Sequence, residues 1–135
     1  MDTRASILVV DDEEVVRRSY ARILGEMDCE AQAAADGEQA LQAMARRPFD
    51  VVLLDLRMPG AGGLEVLRTI KRRWPSSEVV VITGYPTVQS AREALQLGAC
   101  EYLAKPLDPD EVMDAARGAM RRKRWALRTE AATVH

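Results

Sequence analysis

The sequence has few of the features that mark membrane, secreted or nucleic-acid-binding proteins. Aromatic residues are only 4% of its 135, so a stacking platform for single-stranded nucleic acid is not expected. The two cysteines, Cys29 and Cys100, lie far apart with no CxxC spacing, so neither a disulfide framework nor a zinc site is suggested. They read as small buried apolar residues in a reducing compartment. No apolar run nears the roughly 18 residues of a membrane span. The chain turns acidic by Asp11, too early for a signal peptide. The expectation is a soluble cytoplasmic protein with no membrane partner. Neither sign of charge dominates: Lys+Arg 19 against Asp+Glu 21 gives a net charge of -2, which excludes a globally basic nucleic-acid binder.

What is present is one domain's worth of chain, since the common size is about 100–150 residues. At that size on the order of two-thirds of the unfolded surface is buried, so no disulfide or metal is needed for folding. The charge is uneven. Residues 118–135 hold five basic residues and one acid, against fourteen and twenty in residues 1–117, so an acidic body carries a basic tail.

Short apolar runs alternate with longer amphipathic ones. Ile7–Val10, Val51–Leu54 and Val79–Ile82 are continuous and rich in β-branched residues, the pattern of strands buried on both faces of a parallel sheet. Cys29–Ala34 and Glu101–Ala104 are weaker strand candidates. Between them, Val16, Tyr20, Ile23, Leu24 and Met27 recur at helical spacing behind Asp11-Asp12, which can cap that helix. Asp36-Gly37 opens a second helix that Pro48 closes, and Gly63 to Trp74 forms a third, stopped by Pro75. Thr87 opens Val88–Leu97, ended by Gly98, and Pro109 suits the first turn of a last helix through Ala119. The order is (βα)5, an open parallel sheet with helices on both faces.

In such sheets the functional crevice lies at the carboxyl ends of the strands. Asp11-Asp12-Glu13, Asp55, Thr83 and Lys105-Pro106 follow the first, third, fourth and fifth strands, so this fold brings them to one edge. Taken singly each has an ordinary use: Asp11 and Asp12 as helix caps, Asp55 as a residue of the Met58-Pro59-Gly60 turn, Thr83 as a strand-end hydroxyl, Lys105 as a solvated lysine. Together, four strand ends would each need a reactive polar group by chance. Three carboxylates a few ångströms apart repel, each pair by about 1 kcal/mol in water and about 4 at an effective dielectric of about 20. They take up protons or bind a hard divalent cation, and oxygen-only ligands favour Mg2+ or Mn2+. A carboxylate can also attack a phosphoryl donor and form an aspartyl phosphate. That step needs charge neutralisation more than acid–base help, which a metal on one side and a lysine on the other supply. Thr83 can hydrogen-bond a third phosphoryl oxygen.

Asp11-Asp12, Asp55, Thr83 and Lys105-Pro106 resemble the invariant positions of the receiver domain of two-component response regulators. The strings Val9 to Glu13, Leu53 to Gly60 and Gly98 to Pro106 carry the resemblance, which covers residues 5–120. It implies a doubly wound, flavodoxin-like five-stranded sheet of order 2-1-3-4-5, with a receiver domain over 1–120 and a basic tail or start of a connector over 121–135. It also implies a phosphoacceptor regulator rather than an enzyme, one that assists only its own phosphorylation and dephosphorylation. A sensor histidine kinase or phosphotransfer protein would phosphorylate Asp55, with Mg2+ or Mn2+ required. Asp12, Asp55 and the backbone carbonyl of Arg57 would ligate the metal directly, and Asp11 through water. Lys105 would contact the phosphoryl group and precede a cis Pro106, an isomer found in about 5–6% of X–Pro bonds. Thr83 and Tyr102 would be the switch pair, while Arg57 and Tyr85 hold the positions that tune dephosphorylation. Gly62 stands where the family often has Asp, and Gly60, Gly62 and Gly63 predict a flexible loop.

The same resemblance puts the output on a face of the fourth helix, fifth strand and fifth helix, through Gln89, Arg92, Glu93, Gln96, Tyr102, Asp110, Asp114 and Arg117. A homodimer through that face is left open, and kinase docking falls on Val15, Arg18 and Arg22 of the first helix. Each of these residues taken alone reads as solvated surface. Thr83 to Val88, on through Leu107, resembles receivers of enhancer-binding transcription activators of the nitrogen-regulatory class, whose effector domain would lie outside this chain. Arg121 to Trp125 would extend the last helix toward an effector or a partner copy. It reads first as a solvated helix end that complements the helix's negative pole, and direct DNA binding is not expected. Three rivals have their own signatures. An aspartyl-phosphate hydrolase would place a second Asp where Arg57 stands. A flavodoxin-type flavin site would have a Ser/Thr/Gly loop where Asp11 to Glu14 stand. A non-phosphorylated interaction scaffold would lack the lysine or an aspartate.

Overall fold

In the computed structural model, which describes residues 4–58 and 62–134 and the side chains as far as Arg124, the apolar runs are strands and the amphipathic stretches helices. In chain order they are β1 (Ser6–Val10), α1 (Glu14–Glu26), β2 (Glu30–Ala34), α2 (Gly37–Arg46), β3 (Val51–Leu54), α3 (Gly63–Arg73), β4 (Glu78–Thr83), α4 (Val88–Gln96), β5 (Glu101–Ala104) and α5 (Pro109–Val134). All strand pairs are parallel and the sheet order is β2-β1-β3-β4-β5, the flavodoxin-like order 2-1-3-4-5. The Pro59-Gly60 turn lies outside the described residues, as does the side chain of Trp125.

Alternation along the strands explains their continuous hydrophobicity. Leu8, Val10, Val52, Leu54, Val79 and Val81 face α2, α3 and α4 through Met44, Leu67, Ile70 and Ala94. Ile7, Val9, Val51, Leu53, Val80 and Ile82 face the other way, onto Tyr20, Ile23 and Leu24 of α1 and Val112, Ala115 and Ala116 of α5. Each strand thus fills two cores at once. Cys29 is buried and Cys100 half-buried, and both are free. Burial first, and then the charge of Glu78, push the Cys100 thiol up to about 11, so it is not a thiolate at neutral pH.

Asp36 and Thr87 cap α2 and α4 as their positions predict, accepting from the backbone of Gln39 at 2.8 Å and of Ser90 at 2.9 Å. Asp11 and Asp12 do not cap α1, whose N-cap position is Glu13, with no side-chain cap. Asp11 Oδ1 instead accepts from the Glu13 N–H at 2.9 Å, folding the acidic loop back on itself. Gly98 closes α4 with a φ of +106°. Gly63 does not serve flexibility: a Cβ there would lie 2.4 Å from the Leu56 Cα, so only glycine lets α3 start against the β3 exit.

At the amino edge of the sheet α5 is tied down. Lys123 Nζ donates to Asp50 Oδ1 at 2.7 Å, the neighbouring Arg122 lies 3.8 Å from Glu78, and Asp50 Oδ2 accepts from the Ser6 N–H at 2.9 Å. Two of the four basic side chains in Arg121 to Arg124 are therefore engaged with the body, and the helix runs on without interruption.

Candidate functional site

Register brings the candidate residues together. Val10 pairs with Leu54 and Leu54 with Val81, so β1 and β3 end side by side and release Asp11 and Asp55 at the same level. The Asp55 N–H still donates to the Val10 carbonyl at 3.0 Å, and the Asp11 N–H to Ala34 at 3.1 Å. Thr83 pairs with Ala104, so Lys105 leaves β5 beside the end of β4. The Lys105–Pro106 peptide bond is cis.

Lys105 Nζ donates to Asp11 Oδ2 at 2.6 Å and to Asp55 Oδ2 at 3.0 Å, with Glu13 Oε1 a further 3.9 Å away. Both aspartates are buried, at 2% and 5% exposure. Their other oxygens are also held, Asp11 Oδ1 by the Glu13 N–H and Asp55 Oδ1 by the Arg57 N–H at 3.0 Å. Asp12 is exposed, and its carboxylate has no hydrogen-bond partner among the described residues. Burial favours a neutral Lys105, but the hydrogen bonds to Asp11 and Asp55 outweigh it and raise its pKa, so the ammonium is fixed at neutral pH.

The ligand atoms of Asp11, Asp12 and Asp55 lie within 4.8 Å of one another. Three carboxylates against one ammonium leave a formal charge of about −2, all-oxygen donors and one carboxylate unengaged. That set fits a hard divalent cation better than protons. Above it opens a cleft of about 480 Å³, lined by Glu13, Leu56, Arg57, Met58, Gly84 and Tyr85 as well as Asp12, Asp55 and Lys105.

The remaining candidates surround the cluster rather than join it. Thr83 is buried at the end of β4, its hydroxyl accepting from the Tyr85 N–H at 3.2 Å. The Arg57 guanidinium lies over the Tyr85 ring, 3.7 Å from its centre. Tyr102 points its hydroxyl at the start of α4, where it accepts from the Thr87 N–H at 3.2 Å and pairs with the Ser90 hydroxyl. On the α4–α5 side Gln89 bonds Glu93 at 3.0 Å, and Asp114 lies 3.6 Å from Arg117. On α1, Val15 is 79% exposed and Arg18 pairs with Glu14 at 2.9 Å.

Sequence reasoning missed Arg17, whose guanidinium donates to the Asp11 backbone carbonyl at 2.8 Å, and Ser90, which shares the Tyr102 hydroxyl. The apolar stripe of α1 puts Arg18 opposite the core and Arg17 at its flank, but it does not show that this flank lies beside the acidic loop.

Comparisons with known proteins give the family and the fold of the chain. A family model described as the response regulator receiver domain matches residues 7–117. The chain is 34% identical over 88% of its length to the response regulator PilR of Pseudomonas aeruginosa, and 37% identical over 82% to the DNA-binding transcriptional regulator NtrC of Escherichia coli. It spans about a quarter of the length of these relatives, 27% and 24%. Among solved structures, NtrX of Brucella abortus is 32% identical with a TM-score of 0.88 over 98% of this chain and 30% of that one. A CheY-like receiver domain protein of Methanospirillum hungatei shares the fold, with a TM-score of 0.89 at 24% identity over 92% of this chain and 99% of that one.

Proposed function

The chain belongs to the response regulator receiver domain family, and from that premise we propose that it is a signalling switch which takes a phosphoryl group onto Asp55 from the phosphohistidine of a sensor kinase or phosphotransfer protein. The observation that carries this reading is the Lys105 ammonium held between Asp11 and Asp55, beneath an open cleft and beside an unengaged Asp12. In the step an Asp55 oxygen bonds to phosphorus while the phosphorus–nitrogen bond breaks, and the electron pair leaves with the imidazole. Lys105, already within 3.0 Å of an Asp55 oxygen, can move to a phosphoryl oxygen without leaving Asp11. Asp11, Asp12 and Asp55, with the Arg57 carbonyl, would hold Mg2+ or Mn2+, which supplies charge neutralisation on the transferring oxygens. Tyr85 and Arg57, stacked at the cleft wall, control the approach of water to the acyl phosphate.

Transfer adds roughly two negative charges at Asp55. Thr83 would release the Tyr85 N–H and donate its hydroxyl to a phosphoryl oxygen, making room for the Tyr102 ring to turn inward. That motion breaks the hydroxyl's hold on Thr87 and Ser90 and repositions α4, passing the change to the α4–β5–α5 face and to an output domain or partner copy. The receiver would occupy 1–120, with the rest of α5 opening a connector to a transcription-regulating effector, as in the enhancer-binding activators.

The test is intact mass after incubation with Mg2+ and acetyl phosphate. The wild type gains one phosphoryl group, and Asp55→Asn or chelation of the metal abolishes the gain. An unmodified wild type, or equal modification of Asp55→Asn, overturns the proposal.

A further inference from the structure

Two of the three clustered carboxylates are aimed by their own hydrogen bonds. Asp11 is held through Glu13 and Lys105, and Asp55 through Arg57 and Lys105. Asp12 has no such partner among the described residues, so only its Cα–Cβ bond is directed, and the backbone alone does that. The peptide unit between Asp11 and Asp12 is planar, with the Asp11 carbonyl at one side and the Asp12 N–H at the other. Whatever fixes that oxygen fixes the plane from which the Asp12 Cα departs.

Arg17 fixes it. Its Nη1 donates to the Asp11 carbonyl oxygen at 2.8 Å, from a half-buried position in the first turn of α1. That turn is itself held, the Arg17 N–H donating to the Glu13 carbonyl at 3.1 Å. On the near side the Asp11 N–H is secured by Ala34 at 3.1 Å. The guanidinium therefore closes a frame around an acidic loop that would otherwise lack a restraint at its middle peptide. Resting on the metal-dependent reading above, we infer that Arg17 is a positioning residue of the cation site, which aims Asp12 by holding the Asp11–Asp12 peptide plane.

A second effect of Arg17 has the opposite sign. Its positive charge near three carboxylates opposes a divalent cation by simple repulsion. Removing the side chain tightens cation binding if charge dominates and weakens it if positioning dominates. Groups one shell out from a metal are typically worth about 10–100-fold in affinity.

The experiment is an equilibrium Mg2+ titration of the whole chain without phosphoryl donor, followed by backbone amide NMR shifts, which also report whether each variant keeps its fold. Arg17→Met is expected to raise the dissociation constant by about tenfold or more. Arg17→Lys, which keeps a donor but not the fork, recovers part of the loss. Arg68→Met on the solvent side of α3 leaves it unchanged. At saturating Mg2+ the phosphorylation rate of Arg17→Met returns to near the wild-type value. An Arg17→Met protein that is folded and binds Mg2+ as tightly as the wild type, or more tightly, overturns the inference. A wild type that binds no Mg2+ sinks the metal reading instead.

Discussion

At Asp12 the demands of a ligand and of a stable fold diverge. Its carboxylate lies with those of Asp11 and Asp55 within 4.8 Å, and no lysine offsets it as Lys105 offsets the other two. Asp12→Asn removes repulsion of about 1 kcal/mol. Thermal unfolding without divalent cations should therefore shift up by about 4 °C for a domain of this size, while the stabilisation by added Mg2+ disappears. At Gly63 the demand is steric. Gly63→Ala drives a Cβ into the Leu56 backbone, and urea unfolding should show a loss of about 2 kcal/mol with an unchanged slope. The two residues differ in legibility. Asp12 stands out in sequence because carboxylates at several strand ends imply a shared chemistry. Gly63 sits in a run of glycines that suggests freedom, and only the approach of another segment shows that it is constraint.

The start of α4 is an element held by two side chains of different origin. Thr87 caps it from within, as its place before Val88 announces, and Tyr102 holds it from β5 through Thr87 and Ser90. Thr87→Ala should cost about 1 kcal/mol of stability by chemical denaturation. Tyr102→Phe keeps the ring but frees the first turn. Hydrogen exchange of the amides at residues 87–90 should then accelerate about fivefold, the equivalent of about 1 kcal/mol. Unchanged exchange would mean that the hydroxyl holds nothing. Caps are readable because they are local, three residues from donor to acceptor. The Tyr102 tie depends on which way a ring turns after the sheet has formed, so the sequence shows a switch candidate but not its resting partner. Likewise β2 is legible from its place between two helices rather than from its residues, Glu30 to Ala34 being mostly alanine.

Across the whole molecule the two edges of the sheet carry opposite arrangements of charge. The carboxyl edge concentrates aspartates around one lysine, and the amino edge pairs Asp50 and Glu78 with Lys123 and Arg122. Burial raises the Asp50 pKa, but the Lys123 and Ser6 hydrogen bonds outweigh it and leave it below the ordinary carboxylate value. The Asp50 contribution to stability is thus full above the unfolded value of about 3.9 and fades as pH falls through the lower folded value. Partly exposed, the pair is worth about 1 kcal/mol after screening. Asp50→Asn should therefore lower stability by about that amount at pH 7 and flatten its decline in acid, as followed by urea midpoints. No sequence pattern joins residues 73 positions apart, which is why the basic tail reads as a solvated end until the fold is seen. The fastening has a mechanical consequence. At 1.5 Å per residue the 26 residues of α5 make a beam about 39 Å long. The clamp at Arg122 and Lys123 ends the seated half, whose Val112, Ala115, Ala116 and Ala119 are buried on the sheet. A tilt of that half would swing Val134 as the tip of a rigid lever, a gearing that carries motion away from the carboxylates without any side chain reaching back to them.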